Sequence, residues 1–390
     1  MRKGKITRRE FLATSGALGA GAVLAGAAGL ASAEESRAAA MPIATLGKTG
    51  VKVPILGMGS ALSVTPVLLN AVLAEGITYL DTAQGYMEGQ SEKNIGQFLE
   101  KNGRRQDCFI VTKCEHHDAA SFGARLAGSL ESLRTEYVDL YFLHDLGDPG
   151  RLDQEMKETT ERLKKGKKIR FFGFSSHHGN LVPTLEKAAQ VGFVDAIMFK
   201  YNFRDYDNAA LNQAMDLCAA AGIGLIAMKT QGGAVSFQEG VDKFKAKGFN
   251  PFQAALKSVW ADGRIHGLVS AMKNLRQVQE NAQAARNSEM GMEERELLLE
   301  YAAATDHLYC RGCGQLCESQ LQAPLQVADT LRYRMYSENY GEPERGRALY
   351  AALPAEARRI EGVDFSAAEA ACPHRLPIGA LMREAAQKLA

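Results

Sequence analysis

Between Ile43 and Asn287, short apolar runs alternate with amphipathic segments. The first runs are P-I-L-G-M-G from Pro54, I-T-Y-L-D from Ile77, F-I-V-T-K from Phe109 and V-D-L-Y-F-L-H from Val138. Four more begin at Ile169, Val194, Ile223 and His266. Each is nearly continuous in apolar residues, the pattern of a strand buried on both faces of a parallel sheet. Between them, segments such as A-R-L-A-G-S-L-E-S-L from Ala124 carry apolar residues at helical spacing. Eight strand–helix units in roughly 250 residues predict an α/β fold, a closed (β/α)8 TIM barrel. An open doubly wound sheet is the rival, but it wants a glycine-rich phosphate turn after an early strand. Gly57–Met58–Gly59 alone meets that demand weakly. Ahead of the barrel, I-A-T-L and V-K-V-P joined by G-K-T-G predict a β-hairpin.

After about Met290 the pattern changes. Helix formers dominate in E-E-R-E-L-L-L-E, R-A-L-Y-A-A-L-P-A-E-A-R-R and I-G-A-L-M-R-E-A, and four of the seven cysteines fall here. The expected organisation is a barrel over residues 42–290 and a helical module over 291–390. Residues 1–33 read as a signal peptide: a basic head, an Ala/Gly/Leu stretch to Leu30 and the small-residue site Ala31–Ser32–Ala33. The pair Arg8–Arg9 before Phe11 and Leu12 marks the twin-arginine type. The expectation is therefore a periplasmic or otherwise extracytoplasmic protein, carried out folded by the twin-arginine translocase. No later stretch is long and apolar enough to span a bilayer. The net charge of +1 supplies no global field for nucleic acid, and the run Arg162–Lys168 reads as a solvated helix end.

Candidate chemistry gathers where the strands end. Asp81, Lys113 and His144 close the second, third and fourth apolar runs, and Tyr86 follows in D-T-A-Q-G-Y. Barrel chemistry belongs at that end of the strands. An ammonium beside a phenol favours phenolate and is expected to lower the tyrosine pKa. Asp81 is expected to hold Lys113 charged, and His144 to orient a substrate oxygen.

The segments L-G-K-T-G-V-K-V-P-I-L-G-M-G, D-T-A-Q-G-Y, V-T-K and Y-V-D-L-Y-F-L-H resemble the aldo/keto reductase superfamily across residues 43 to about 287. The resemblance implies hydride transfer between NADP(H) and a small carbonyl or alcohol, with Tyr86 as general acid and Asp81, Lys113 and His144 beside it. It also implies a dinucleotide site. Gly173–Ser176 resembles the family's serine–asparagine step, which carries Ser175 and Ser176 into that site. Met198 stands where the family often has glutamine, and Met228 where an aromatic often stacks on nicotinamide. Ala271 and Gln277 stand where basic residues usually grip the 2′-phosphate. Lys273 and Arg276 lie close by, and Glu280 and Asn281 agree with the family.

Cys310, Cys313 and Cys317 are spaced C-x-x-C-x-x-x-C, and Cys372 precedes Pro373. Three clustered cysteines plus a distant Cys-Pro cysteine form one cluster site in two-cluster ferredoxins. A-C-P-H-R-L-P-I resembles the tail of ferredoxin-like extensions on some aldo/keto reductases, which implies one 4Fe–4S cluster and an external redox partner. The extra residue between the second and third cysteines departs from the ferredoxin spacing. Four-thiolate zinc remains open, with an idle, non-catalytic barrel, as do disulfides formed after export. Cys108, Cys114 and Cys218 read as small buried residues, and His116 and His117 as loop surface.

Overall fold

The computed structural model describes residues 40–232 and 238–390, so the signal peptide expected over residues 1–33 lies outside the described residues. The chain opens on the expected hairpin, β1 (Ile43–Thr45) antiparallel to β2 (Lys52–Pro54). Then come β3 (Leu56–Gly59), β4 (Tyr79–Asp81), β5 (Phe109–Cys114) and β6 (Val138–Leu143). They are followed by β7 (Ile169–Ser176), β8 (Ala196–Lys200), β9 (Gly224–Met228) and β10 (Gly267–Ala271). Strands β3 to β10 are all parallel and pair in sequence, and β10 closes on β3. Every apolar run expected to be a barrel strand is one.

Two apolar layers follow from the strand period of two. One set of side chains fills the barrel interior: Tyr79, Phe109, Val111, Leu140, Phe142, Met198, Ile226 and Val269 among others. The opposite set, including Leu80, Ile110, Tyr141, Phe172 and Phe199, packs beneath the surrounding helices. Gly173 is dictated by the barrel's tightness. A β-carbon there would meet the Ala196 carbonyl oxygen of β8 and the Phe142 ring. The hairpin seats on the start of β9, where the Lys48 N–H donates to the Gly222 carbonyl at 2.6 Å.

The helix Met292–Thr305 lies beyond the expected barrel boundary but packs against it, burying Leu298 and Tyr301 beside Phe203, Phe244 and Ala254. Arg204 ties this junction. Its guanidinium reaches Thr305 Oγ1 at 2.6 Å, the Ala302 carbonyl at 3.3 Å and the Asp306 carboxylate, all largely out of water. A buried cation needs that full set of partners. A second core begins at the cysteines and joins Leu325, Val327, Leu331, Phe365, Ile378 and Met382. It is built on the helices Val327–Glu338, Pro343–Ala352 and Ile378–Leu389, which satisfies the helical reading of the tail. This module covers the mouth of the barrel through polar contacts that include Gln315 to the Gly179 carbonyl, Lys200 to the Arg311 carbonyl, Arg332 to His177, Lys229 to Tyr336 and Lys273 to Glu342. Among the described residues no helix is long and apolar enough to cross a membrane.

Candidate active site

The inward face of each strand runs to the carboxyl-terminal rim, where its last position falls at or next to the strand end. Tyr79 and Asp81 share one face of β4, as do Phe109, Val111 and Lys113 on β5. Leu140, Phe142 and then His144 continue the series from β6. Parallel register sets Asp81 beside Val111 and Lys113 beside Phe142. The sequence-predicted quartet is therefore brought together.

Lys113 is 1% exposed, and its ammonium is the hub. Its Nζ donates to Asp81 Oδ2 at 2.7 Å, to the Thr82 carbonyl at 2.7 Å and to Tyr86 Oη at 3.3 Å. Burial alone would push the Lys113 pKa down; Asp81 and then Tyr86 outweigh it, and the ammonium is held above its ordinary value. The Tyr86 ring stands edge-on to His144, with centroids 5.5 Å apart. Burial pushes the Tyr86 phenol up, and Lys113 only partly offsets this. The expected lowering is thus corrected, because desolvation of the phenolate exceeds the pull of the neighbouring ammonium. The phenol keeps its proton at neutral pH, which is the form a general acid requires. Burial, then Lys113, His117 and Lys229, lower His144 to about 3, so its ring is neutral. His117 is not free surface: its Nε2 lies 2.7 Å from the His144 carbonyl, while His116 is exposed.

Tyr86, Asp81 and His144 open on a cavity of about 800 Å³ that runs across the rim to Ser270, Ala271, Lys273 and Gln277. Of the six residues expected at a dinucleotide, Ser175 and Lys273 line it. Ser175 Oγ accepts the Asp145 N–H at 3.1 Å. Lys273 pairs with Glu342 at 3.2 Å and donates to the Tyr340 carbonyl. Asn281 acts from behind, donating to Ser270 Oγ at 3.1 Å. Ser176 is fully buried and accepts the His178 N–H at 3.2 Å. Arg276 is largely exposed and pairs with Glu280 at 3.9 Å, and neither lines the cavity. Met198 and Met228 do line it, so these methionines are cavity wall as well as core.

With this geometry in place, likeness to known proteins is informative. The family model for the aldo/keto reductase family matches residues 61–308. The chain belongs to the aldo/keto reductase family. It is 26% identical over 291 residues to L-galactose dehydrogenase of Arabidopsis thaliana, covering 65% of this chain and 91% of that protein. It is 30% identical over 160 residues to an aldo-keto reductase of Bacillus subtilis, covering 38% and 47%. Among solved structures, an aldo-keto reductase from Klebsiella pneumoniae in complex with NADPH superposes with a TM-score of 0.56. That match is 24% identical and covers 67% of this chain and 95% of that one. An aldo-keto reductase from Bacillus halodurans gives a TM-score of 0.57 at 24% identity, covering 67% and 96%. At such identity the structures establish the barrel fold. Family membership makes this protein an oxidoreductase.

This aldo/keto reductase adds residues to the cavity that motif reading passes over. Arg332, Tyr333, Tyr336, Tyr340 and Arg345 come from the carboxyl-terminal module and line the same space as Tyr86. The carboxyl-terminal cysteines gather at a second, smaller cavity. Cys310, Cys313, Cys317 and Cys372 ring one small cavity closed by Leu316, Val327, Leu331, Leu376 and Ile378. Among the described residues no three His, Cys, Asp or Glu side chains converge closely enough to hold a single metal ion. One helix serves both centres: Val327 and Leu331 face the thiols, and Arg332 and Tyr336 face the barrel.

Proposed function

We propose that this aldo/keto reductase is an exported enzyme that interconverts a carbonyl and its alcohol at Tyr86, using NADP(H) and one 4Fe–4S cluster. The observation that carries the catalytic reading is the chain Tyr86–Lys113–Asp81, linked at 3.3 and 2.7 Å at the rim of the barrel. In reduction, Tyr86 gives its proton to the carbonyl oxygen as that oxygen gains charge. Lys113 stabilises the phenolate left behind, and Asp81 keeps the ammonium in place. Neutral His144 orients the same oxygen from the edge of the Tyr86 ring. In oxidation the phenolate takes the alcohol proton back.

The residues present fit a dinucleotide. Asp81 Oδ1 is buried at the cavity with no hydrogen-bond partner among the described residues, an acceptor that a bound donor would satisfy. Ser175 and Lys273 would hold the cofactor, with Met198 and Met228 as apolar wall. Lys273 would supply a positive charge toward a 2′-phosphate if its pairing with Glu342 opened. Nicotinamide would supply the hydride.

The cysteine cavity fits a cluster in its donor set. Burial pushes the Cys310 thiol to about 11 and the Cys317 thiol to about 12, so stable thiolates there call for a cationic core. Four sulfurs ringing a cavity suit a body of several irons better than one zinc ion, which draws its four ligands onto a point. A cluster would pass electrons one at a time between the barrel and an external partner, two of them with one proton for each hydride restored to nicotinamide. Export motivates that relay, since a nicotinamide carried outward needs recharging in place.

Two experiments test the reading. Anaerobically prepared full-length protein should enhance NADPH fluorescence on binding and oxidise NADPH when an aldehyde is added; binding of neither NADPH nor NADH overturns the nicotinamide assignment. Replacing Arg8 and Arg9 together by lysine should leave the protein in the cytoplasmic fraction of its cells; unchanged export overturns the twin-arginine assignment.

A further inference from the structure

Lys229 follows β9 with a backbone φ of 54°, a left-handed conformation that side chains with a β-carbon disfavour. Strained positions of this kind cluster at functional sites. Its side chain is half-buried and lines the same cavity as Tyr86 and His144. Among the described residues the ammonium makes one hydrogen bond, to Tyr336 Oη at 2.9 Å, and it lies 4.8 Å from the centre of that ring. No ion pair joins Lys229 to a carboxylate among the described residues. An ammonium has three donors, so donors remain for something else.

Two acids share the cavity wall without pairing to Lys229: Asp145 accepts the His177 N–H at 2.9 Å, and Glu115 is largely exposed beside His144. The other neighbouring acids are committed to cations. Asp81 holds Lys113, Asp329 holds Arg332, and Glu342 stands between Lys273 and Arg345. Three groups report the resulting positive field. Burial and then Lys229 push His177 well below its ordinary value. Lys229 acts the same way on His144. Burial would raise Tyr336, yet Lys229 and then Arg332 outweigh it, and the phenol moves down. A partly desolvated cation without a counter-charge is costly, and a bound anion relieves that cost.

We propose that Lys229, with Arg332 and Tyr336, forms a subsite for an oxyanionic group, a carboxylate or a phosphate, carried by the compound that reacts at Tyr86. This rests on the catalytic reading of Tyr86. It adds a substrate class: carbonyl compounds or alcohols that carry their own negative charge. The phosphates of a dinucleotide share that chemistry, and the experiment separates the two sources.

Full-length protein and its Lys229→Met and Lys229→Arg variants are titrated calorimetrically with 4-formylbenzoate, with its methyl ester and with NADPH. The parent should bind the acid at least about tenfold more tightly than the ester, as expected for a charge contact out of bulk water. Lys229→Met should lose that preference while ester and NADPH binding stay within about twofold, and Lys229→Arg should retain it. Equal binding of acid and ester by the parent overturns the proposal. So does a preference that survives in Lys229→Met, or a loss confined to NADPH, which would assign Lys229 to the dinucleotide. Oxidation of NADPH by the two aldehydes is followed separately. No oxidation alongside an intact acid preference counts against the reductase reading and leaves the subsite standing.

Discussion

The Tyr86→Phe protein is expected to reduce aldehydes about 10²–10⁴-fold more slowly than the parent, with NADPH affinity unchanged. That range corresponds to about 3–5 kcal/mol of transition-state stabilisation. The substitution isolates the proton. Phenylalanine keeps the ring that stands 5.5 Å from His144 and 4.6 Å from the Lys113 ammonium, and deletes only Oη and its 3.3 Å contact with Lys113 Nζ. The pH profile separates loss of an acid from loss of packing. A general acid must be protonated, and burial raises the Tyr86 phenol above its ordinary value. Reduction by the parent should therefore persist through neutral pH and fall as pH rises through that raised value, above about 10. His144, lowered to about 3, changes no charge between neutral pH and the phenol's titration, so it adds no acidic limb there. Tyr86→Phe should show no alkaline limb. Steady-state turnover of an aldehyde from neutral to alkaline pH checks both points. A variant rate within roughly threefold of the parent would place the proton donor elsewhere.

The barrel is legible in the chain because its strands are buried on both faces. Runs such as F-I-V-T-K and V-D-L-Y-F-L-H leave no polar side for water, and helical spacing between them forces crossovers. The rim quartet is legible for the same reason: a charged residue that ends a buried strand is either paired or functional, and Lys113 is paired with Asp81 at 2.7 Å. The sign of the Tyr86 shift is not legible. It depends on how much water the module and rim exclude, which adjacency along the chain does not encode. The role of the tail is hidden more deeply. Arg332 and Tyr336 lie on a helix with no apolar stripe distinctive enough to name its partner, and only docking brings Tyr336 to Lys229, 107 positions away. Lys273 is legible in place but not in its pairing, since it lines the cavity as expected. Sequence position puts it at the phosphate site, yet Glu342 and the Tyr340 carbonyl from the module take up its ammonium. Residues that work within one strand–helix unit can be read from the chain, whereas those that work between barrel and module need the fold.

Cys372→Ser is expected to yield a colourless protein with little bound iron or sulfide. Its carboxyl-terminal module should also be readily cleaved by protease. The other three thiols come from one short stretch, Cys310 to Cys317, around the start of the helix Gly314–Glu318. Cys372 arrives from the end of the helix Ser366–Ala371 and is the one member that crosses the module. A shared iron core would thus close a loop of over fifty residues, and metal ligation contributes on the order of 10 kcal/mol to folding in small metal-stapled domains. Serine fills nearly the same volume but supplies a far weaker iron ligand, so the loss reads ligation and not packing. The matched control is Cys218→Ser, a thiol buried under the barrel helices that donates to the Leu185 carbonyl at 3.3 Å and should leave colour and iron untouched. Barrel chemistry in Cys372→Ser should persist with added NADPH, because the Asp81–Lys113–Tyr86 contacts lie wholly within residues 81–113. Iron and sulfide analysis of anaerobic preparations, with visible absorption before and after dithionite, decides the matter. Full iron content in Cys372→Ser, or stoichiometric zinc without iron in the parent, would refute the cluster and restore the structural-zinc alternative.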